Sequence, residues 1–81
     1  MHESDVDNNK FTWNDYIVIK NDAPHQFHPG EIGVICGMSK IESDETARKY
    51  HSSVGSWTYT VEFGDGSDTQ IAECYLERYQ D

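Results

Sequence analysis

The sequence predicts an all-β fold, a small barrel of four to five short antiparallel strands closed by a short terminal helical turn. Three observations carry that expectation. Trp57-Thr58-Tyr59-Thr60-Val61-Glu62-Phe63 alternates apolar and polar residues without a miss, the mark of a strand with one buried face. Two more short runs, 16–20 and 32–38, are rich in β-branched residues. At 81 residues the chain makes one small domain, and its two Trp, five Tyr and three Phe raise the area each core position can bury.

Each element follows from local chemistry. Residues 1–10 hold one apolar residue beyond Met1 and read as a flexible acidic tail, leaving 11–81 as a single domain. Phe11 and Trp13 alternate with polar neighbours before the first strand, which ends at the turn formers Asn21-Asp22-Ala23-Pro24. Pro24, Pro29 and Gly30 make 21–31 an irregular, partly packed loop. In the second strand, Gly33 and Gly37 signal a bend or a close backbone approach. Residues 39–56 admit two readings: a short helix with Ser43 as its N-cap and Asp44 and Glu45 in its first turn, or a mobile hairpin tip.

The third strand, 57–63, points Trp57, Tyr59, Val61 and Phe63 inward. Gly64-Asp65-Gly66-Ser67 suits a tight turn with positive φ, so 68–72 pairs back as a hairpin. The segment 73–79 is too short for a free helix and reads as a single helical turn with Leu76 plugging the core. In this register the core is Ile17, Ile19, Ile35, Tyr59, Val61, Phe63, Ile71 and Leu76.

Charge excludes whole classes of function. Fifteen acids against six Lys and Arg give a net charge of -9, the wrong sign for neutralising phosphates or docking on an anionic membrane. No apolar run approaches the roughly 18 residues of a membrane span. The acidic N-terminus is unlike a secretory signal, so a cytoplasmic location is expected. Cys36 and Cys74 are too few for a disulfide scaffold. Both are expected reduced, as small buried residues, with a single bridge between them left open.

No cofactor, metal or catalytic site is expected. His25-x-x-His28 has the spacing of a ligand pair, but His2, His51, Cys36 and Cys74 supply no second pair for zinc. The pair reads as loop histidines flanking a buried Phe27. Asp65-x-Ser67-Asp68 resembles the start of a calcium loop, yet the later ligand positions fall on Ile71 and Tyr75, and the twelfth is Leu76 rather than Glu. No nucleophile sits beside a base in a Gly-rich elbow, and side chains fill a barrel this small.

The distribution of acids is more telling. Residues 62–81 hold Glu62, Asp65, Asp68, Glu73, Glu77 and Asp81 against Arg78 alone, -5 of the net -9. Acids at turns and strand exteriors keep a small protein soluble, which is one account. The other is an acidic face for a basic protein partner, since crowding like charge on one hairpin costs self-repulsion. Exterior Glu62, turn residues Asp65 and Asp68, and Glu73 and Glu77 on one side of a terminal helical turn would form it. Tyr75, with Tyr79 and Trp57, is placed to supply aromatic anchors. The candidate partner-binding set is Glu62, Asp65, Asp68, Glu73, Tyr75 and Glu77.

The element order resembles the SH3-like small barrels. The resemblance rests on Asp15-Tyr16-Ile17-Val18-Ile19, Pro29-Gly30-Glu31-Ile32-Gly33-Val34-Ile35, Tyr59-Thr60-Val61-Glu62-Phe63-Gly64-Asp65-Gly66 and Ile71-Ala72-Glu73-Cys74-Tyr75-Leu76-Glu77, and covers about residues 11–79. RNA-binding members carry basic loops that this chain lacks. Peptide-binding SH3 domains carry a Pro-Tyr signature and a more acidic first loop, also missing here. The layout is similar to that of small acidic immunity proteins of bacterial toxin systems (polymorphic toxin and contact-dependent inhibition systems). That resemblance implies a non-enzymatic protein that binds and neutralises a cognate toxin, a nuclease being the kind an acidic face would block. The alternative is an accessory or regulatory subunit of a cytosolic enzyme.

Overall fold

A computed structural model describes residues 9–80, so residues 1–8 of the expected tail, and Asp81, lie outside the described residues. Five strands form one antiparallel sheet: β1 (Tyr16–Ile19), β2 (Ile32–Lys40), β3 (Trp57–Phe63), β4 (Asp68–Ala72) and β5 (Leu76–Arg78). Their order is β4-β3-β2-β1-β5. A 3-10 turn, Glu73–Tyr75, carries the chain from β4 at one edge to β5 at the other, which curls the sheet on itself. The Lys20 N–H donates to the Tyr75 carbonyl at 2.8 Å, extending the pairing of β1 with β5 by one step. The fold class is the expected one: all-β, five antiparallel strands in one small curled sheet with a short helical turn before the last.

All eight residues that the alternation sets inward are buried, with Ile17, Ile35, Tyr59, Val61 and Ile71 fully enclosed. Phe11, Ala23 and Phe27 join this core from outside the strands, Phe27 from a 3-10 turn at His25–Phe27. Trp57 packs against the core edge and is half-buried. Thr58, on the polar side of β3, is buried as well. Its hydroxyl donates to the Ser39 carbonyl (3.2 Å) and accepts from Gln70 Nε2 (2.6 Å), so the burial leaves no unpaired group.

Both glycines of β2 do what a strand glycine does. At Gly33 a Cβ would collide with the Val61 side chain and lie 2.8 Å from the Glu62 carbonyl oxygen, so β2 and β3 approach as closely as only glycine permits. Gly37 follows a bulge: Ile35 pairs with Val61 and Gly37 with Thr60, leaving Cys36 as the extra residue. This overturns the expectation of buried cysteines. Cys36 and Cys74 are both free and exposed, because Cys36 is unpaired in the bulge and Cys74 sits in a 3-10 turn with no buried residue.

Residues 39–56 fold as the helical alternative. Helix α1 (Asp44–Lys49) starts at Ser43, whose Oγ accepts from the Thr46 N–H at 3.2 Å. Asp44 and Glu45 lie in its first turn and Arg48 and Lys49 in its last, matching the helix dipole at both ends. Six residues do not hold a helix alone. Ile41 and Ala47 are buried with it, and the Tyr50 hydroxyl, donating to Gln70 Oε1 at 3.0 Å, ties its end to β4.

The terminal segment is helical only over Glu73–Tyr75, and Leu76 then opens a fifth strand. The unpaired edge of β1 captures it, with Leu76 opposite Ile19, Glu77 opposite Val18 and Arg78 opposite Ile17. Among the described residues, no helix is long and apolar enough to cross a membrane.

Candidate interaction face

A strand sends alternate side chains to opposite faces, so the buried set defines an outer set. Tyr16 lies opposite Val34, Val34 opposite Glu62, and Glu62 opposite Asp68, one row running across β1, β2, β3 and β4. A second row runs from Glu77 on β5 through Val18 to Ile32. Together they make an apolar corner of Tyr16, Val18, Ile32 and Val34, with Glu62 and Asp68 on one side and Glu77 on the other. Tyr16 is 62% exposed and Ile32 45%. A shallow cleft of about 310 Å³ opens between Tyr16, Ile32, Val34, Glu62 and Gly64.

The acidic side of this face is close-set. Glu62 and Asp68 are both exposed and directly opposed across the β3–β4 ladder, a placement that costs stability when the charges are alike. Their field reaches the bulge: partial desolvation first, then the carboxylates of Glu62 and Asp68, push the Cys36 thiol above its ordinary value. In the adjoining turn, where Gly66 takes φ +90°, Asp65 Oδ1 accepts from Ser67 Oγ at 2.7 Å and from the Ser67 N–H at 3.0 Å. Those two bonds hold the Asp65 carboxyl below its ordinary value.

The rest of the expected acidic set is not gathered here. Glu73 is half-buried, and its Oε2 accepts from the Tyr59 hydroxyl (2.6 Å) and the Lys10 N–H (2.8 Å). Tyr59 Oη in turn accepts from the Phe11 N–H (3.3 Å), and the Phe11 ring stands edge-on to it at 5.5 Å. Burial, then the bond to Glu73, raises the Tyr59 phenol far above its usual value. Glu73 thus fastens residues 10 and 11 over the core end. Tyr75 is half-buried, its ring 5.9 Å from Phe27 and its hydroxyl donating to the His51 carbonyl at 3.3 Å. Glu73 and Glu77 share no helical face, because β5 begins between them.

Tyr16, Val18, Ile32 and Val34 escaped the sequence reading of the site. The signal for them was present. Tyr16-Ile17-Val18-Ile19 is apolar at every position, whereas a strand with one solvated face alternates. The histidines lie elsewhere: His28 takes φ +63° and meets the Phe63 ring edge-on at 5.3 Å, beside a second shallow cleft of about 300 Å³ that includes Glu31 and Asp65. Among the described residues, no group of three or more His, Cys, Asp or Glu is placed to hold a metal ion. No protein-family model matches the chain, nor does any curated protein or solved structure.

Proposed function

We propose that this chain is a non-enzymatic, cytoplasmic protein-binding module, an immunity protein that binds and neutralises a cognate bacterial toxin, a nuclease, through an acidic face. The observation that carries the reading is the opposed pair Glu62 and Asp68, exposed on the outer sheet face. Two carboxylates facing each other across a ladder weaken the isolated fold. A basic partner reverses the sign of that contribution. A nuclease holds phosphates in a basic cleft, so an acidic surface both competes for the cleft and speeds encounter.

The test begins with co-purification from the native host and identification of the bound toxin. The double reversal Glu62→Lys with Asp68→Lys is then compared with the parent chain by stopped-flow association over a range of salt. The expected result is an association rate at least about tenfold lower at low salt, with its salt dependence flattened, and an unchanged circular-dichroism spectrum. An association rate and salt dependence equal to the parent's would refute the acidic face.

A further inference from the structure

The outer face carries a feature that charge alone does not explain. Solvated faces of antiparallel sheets are polar, yet β1 and the start of β2 present Tyr16, Val18, Ile32 and Val34 outward, two of them 62% and 45% exposed. Scattered apolar residues on a surface are ordinary, but these four are cross-strand and diagonal neighbours, and Tyr16, Ile32 and Val34 line one cleft with Glu62. Acids close the patch on both flanks. Three strand spacings of about 4.8 Å set β5, which carries Glu77, and β3, which carries Glu62, about 14 Å apart across the sheet, with the apolar corner between them and the two acids offset by two positions along the strands.

We propose that this cleft takes one large apolar or aromatic side chain from a basic protein partner, flanked by a Lys or Arg on each side that meets Glu62 and Asp68 on one flank and Glu77 on the other. The proposal rests on the protein-binding reading above and names the element recognised. An extended segment advances about 3.4 Å per residue, so basic–x–apolar–x–basic spans about 14 Å, the separation of the two acidic flanks. Such a segment crossing the strands puts its central side chain over Ile32 and Tyr16. Charge selects this occupant over two others. A second copy of the chain would set Glu62, Asp68 and Glu77 against the same acids. Residues 1–8 of the chain itself carry Glu3, Asp5 and Asp7 and no Lys or Arg. The buried apolar anchor supplies affinity and the rim charges supply orientation and rate.

The probe is a phage-displayed library of random 16-residue peptides, selected against the full chain at low salt. Enriched sequences are then measured as synthetic peptides by fluorescence anisotropy. The expected consensus is a Lys or Arg two positions from a Phe, Trp, Leu or Ile, with a second basic residue beyond it. Binding is expected to fall at least about tenfold in Ile32→Thr and in Tyr16→Thr, which keep a β-branched residue at exposed strand positions. It should be unchanged in Val54→Ser, an exposed apolar residue of the loop between α1 and β3 that does not line the cleft. Thermal melts of each variant establish that the fold is intact. Enriched basic peptides without an apolar centre, indifferent to Ile32→Thr, would overturn the anchor while leaving the acidic-face reading standing. Enriched apolar peptides without basic residues, binding independently of salt, would overturn the charged flanks here and count against the acidic face as well. A library that yields no binder overturns the proposal.

Discussion

Tyr59→Phe removes one oxygen atom, and its cost follows from what that oxygen holds. The hydroxyl donates to the Glu73 carboxylate at 2.6 Å and accepts from the Phe11 N–H at 3.3 Å, on a residue with no exposed surface. A hydrogen bond to a charged group contributes about 1.5–3 kcal/mol, and a buried N–H left unpaired costs about 1–3 kcal/mol. Glu73 keeps the Lys10 N–H at 2.8 Å and is partly open to water, which lowers the total. About 3 kcal/mol is the expected loss, out of roughly 4–12 kcal/mol for a domain of this size. At 4–8 °C per kcal/mol for small domains, the melting temperature should fall by roughly 12–24 °C. Calorimetry reads that number, and amide exchange reads its origin: the Phe11 amide should lose its protection while Ile17 and Ile35 keep theirs. A variant melting within about 2 °C of the parent, with the Phe11 amide still protected, would show that the hydroxyl bridges nothing.

Two more outcomes follow from the same packing. Gly33→Ala should destabilise by about 1–3 kcal/mol, because its Cβ meets Val61 and the Glu62 carbonyl. Gly64→Ala, with nothing within 4 Å and no positive φ, should be neutral or raise the urea midpoint slightly, so equal midpoints would contradict the β2–β3 approach. The second outcome concerns alkaline pH. Folding raises the Tyr59 phenol above its unfolded value of about 10, so the folded state holds the proton that the unfolded state releases. The resulting stability is complete below about pH 10 and is lost as pH rises from there toward the folded value. Tyr59→Phe should flatten this decline in urea titrations between about pH 10 and 11.5, and an unaltered slope would remove Tyr59 as its source.

The parts of the molecule legible in sequence are those governed by period two. Ile17, Ile19, Ile35, Tyr59, Val61, Phe63, Ile71 and Leu76 are all buried because the pleat allows each strand only two faces, and the hydrophobic pattern chooses between them. What escaped depends on contacts between residues far apart in the chain. Glu73 looks like any exterior acid until the curl of the sheet brings it under the Tyr59 hydroxyl, 14 residues away. The end of the chain became β5 rather than more helix because β1 had an edge to offer, and no local propensity records that. Gly37 announced a bend in β2, but not that Cys36 beside it would be the extra residue of a bulge. For the candidate face, the acids Glu62, Asp65 and Asp68 were visible as composition. The apolar corner beside them is hidden in the sequence because Val18 and Ile32 are also what any β-strand favours.

The bulge also gives the outer face a gauge of its own. Cys36 is an exposed thiol whose ionisation is held back, after desolvation, by the carboxylates of Glu62 and Asp68. Only the thiolate reacts with a disulfide reagent, so its rate of labelling reports the electrical potential at that spot. The reading needs no partner and no fluorophore, only Cys74→Ser to silence the other exposed thiol. It lets the strength of the acidic flank be followed against salt and pH, and a partner settling over that flank would register as a change in the same signal.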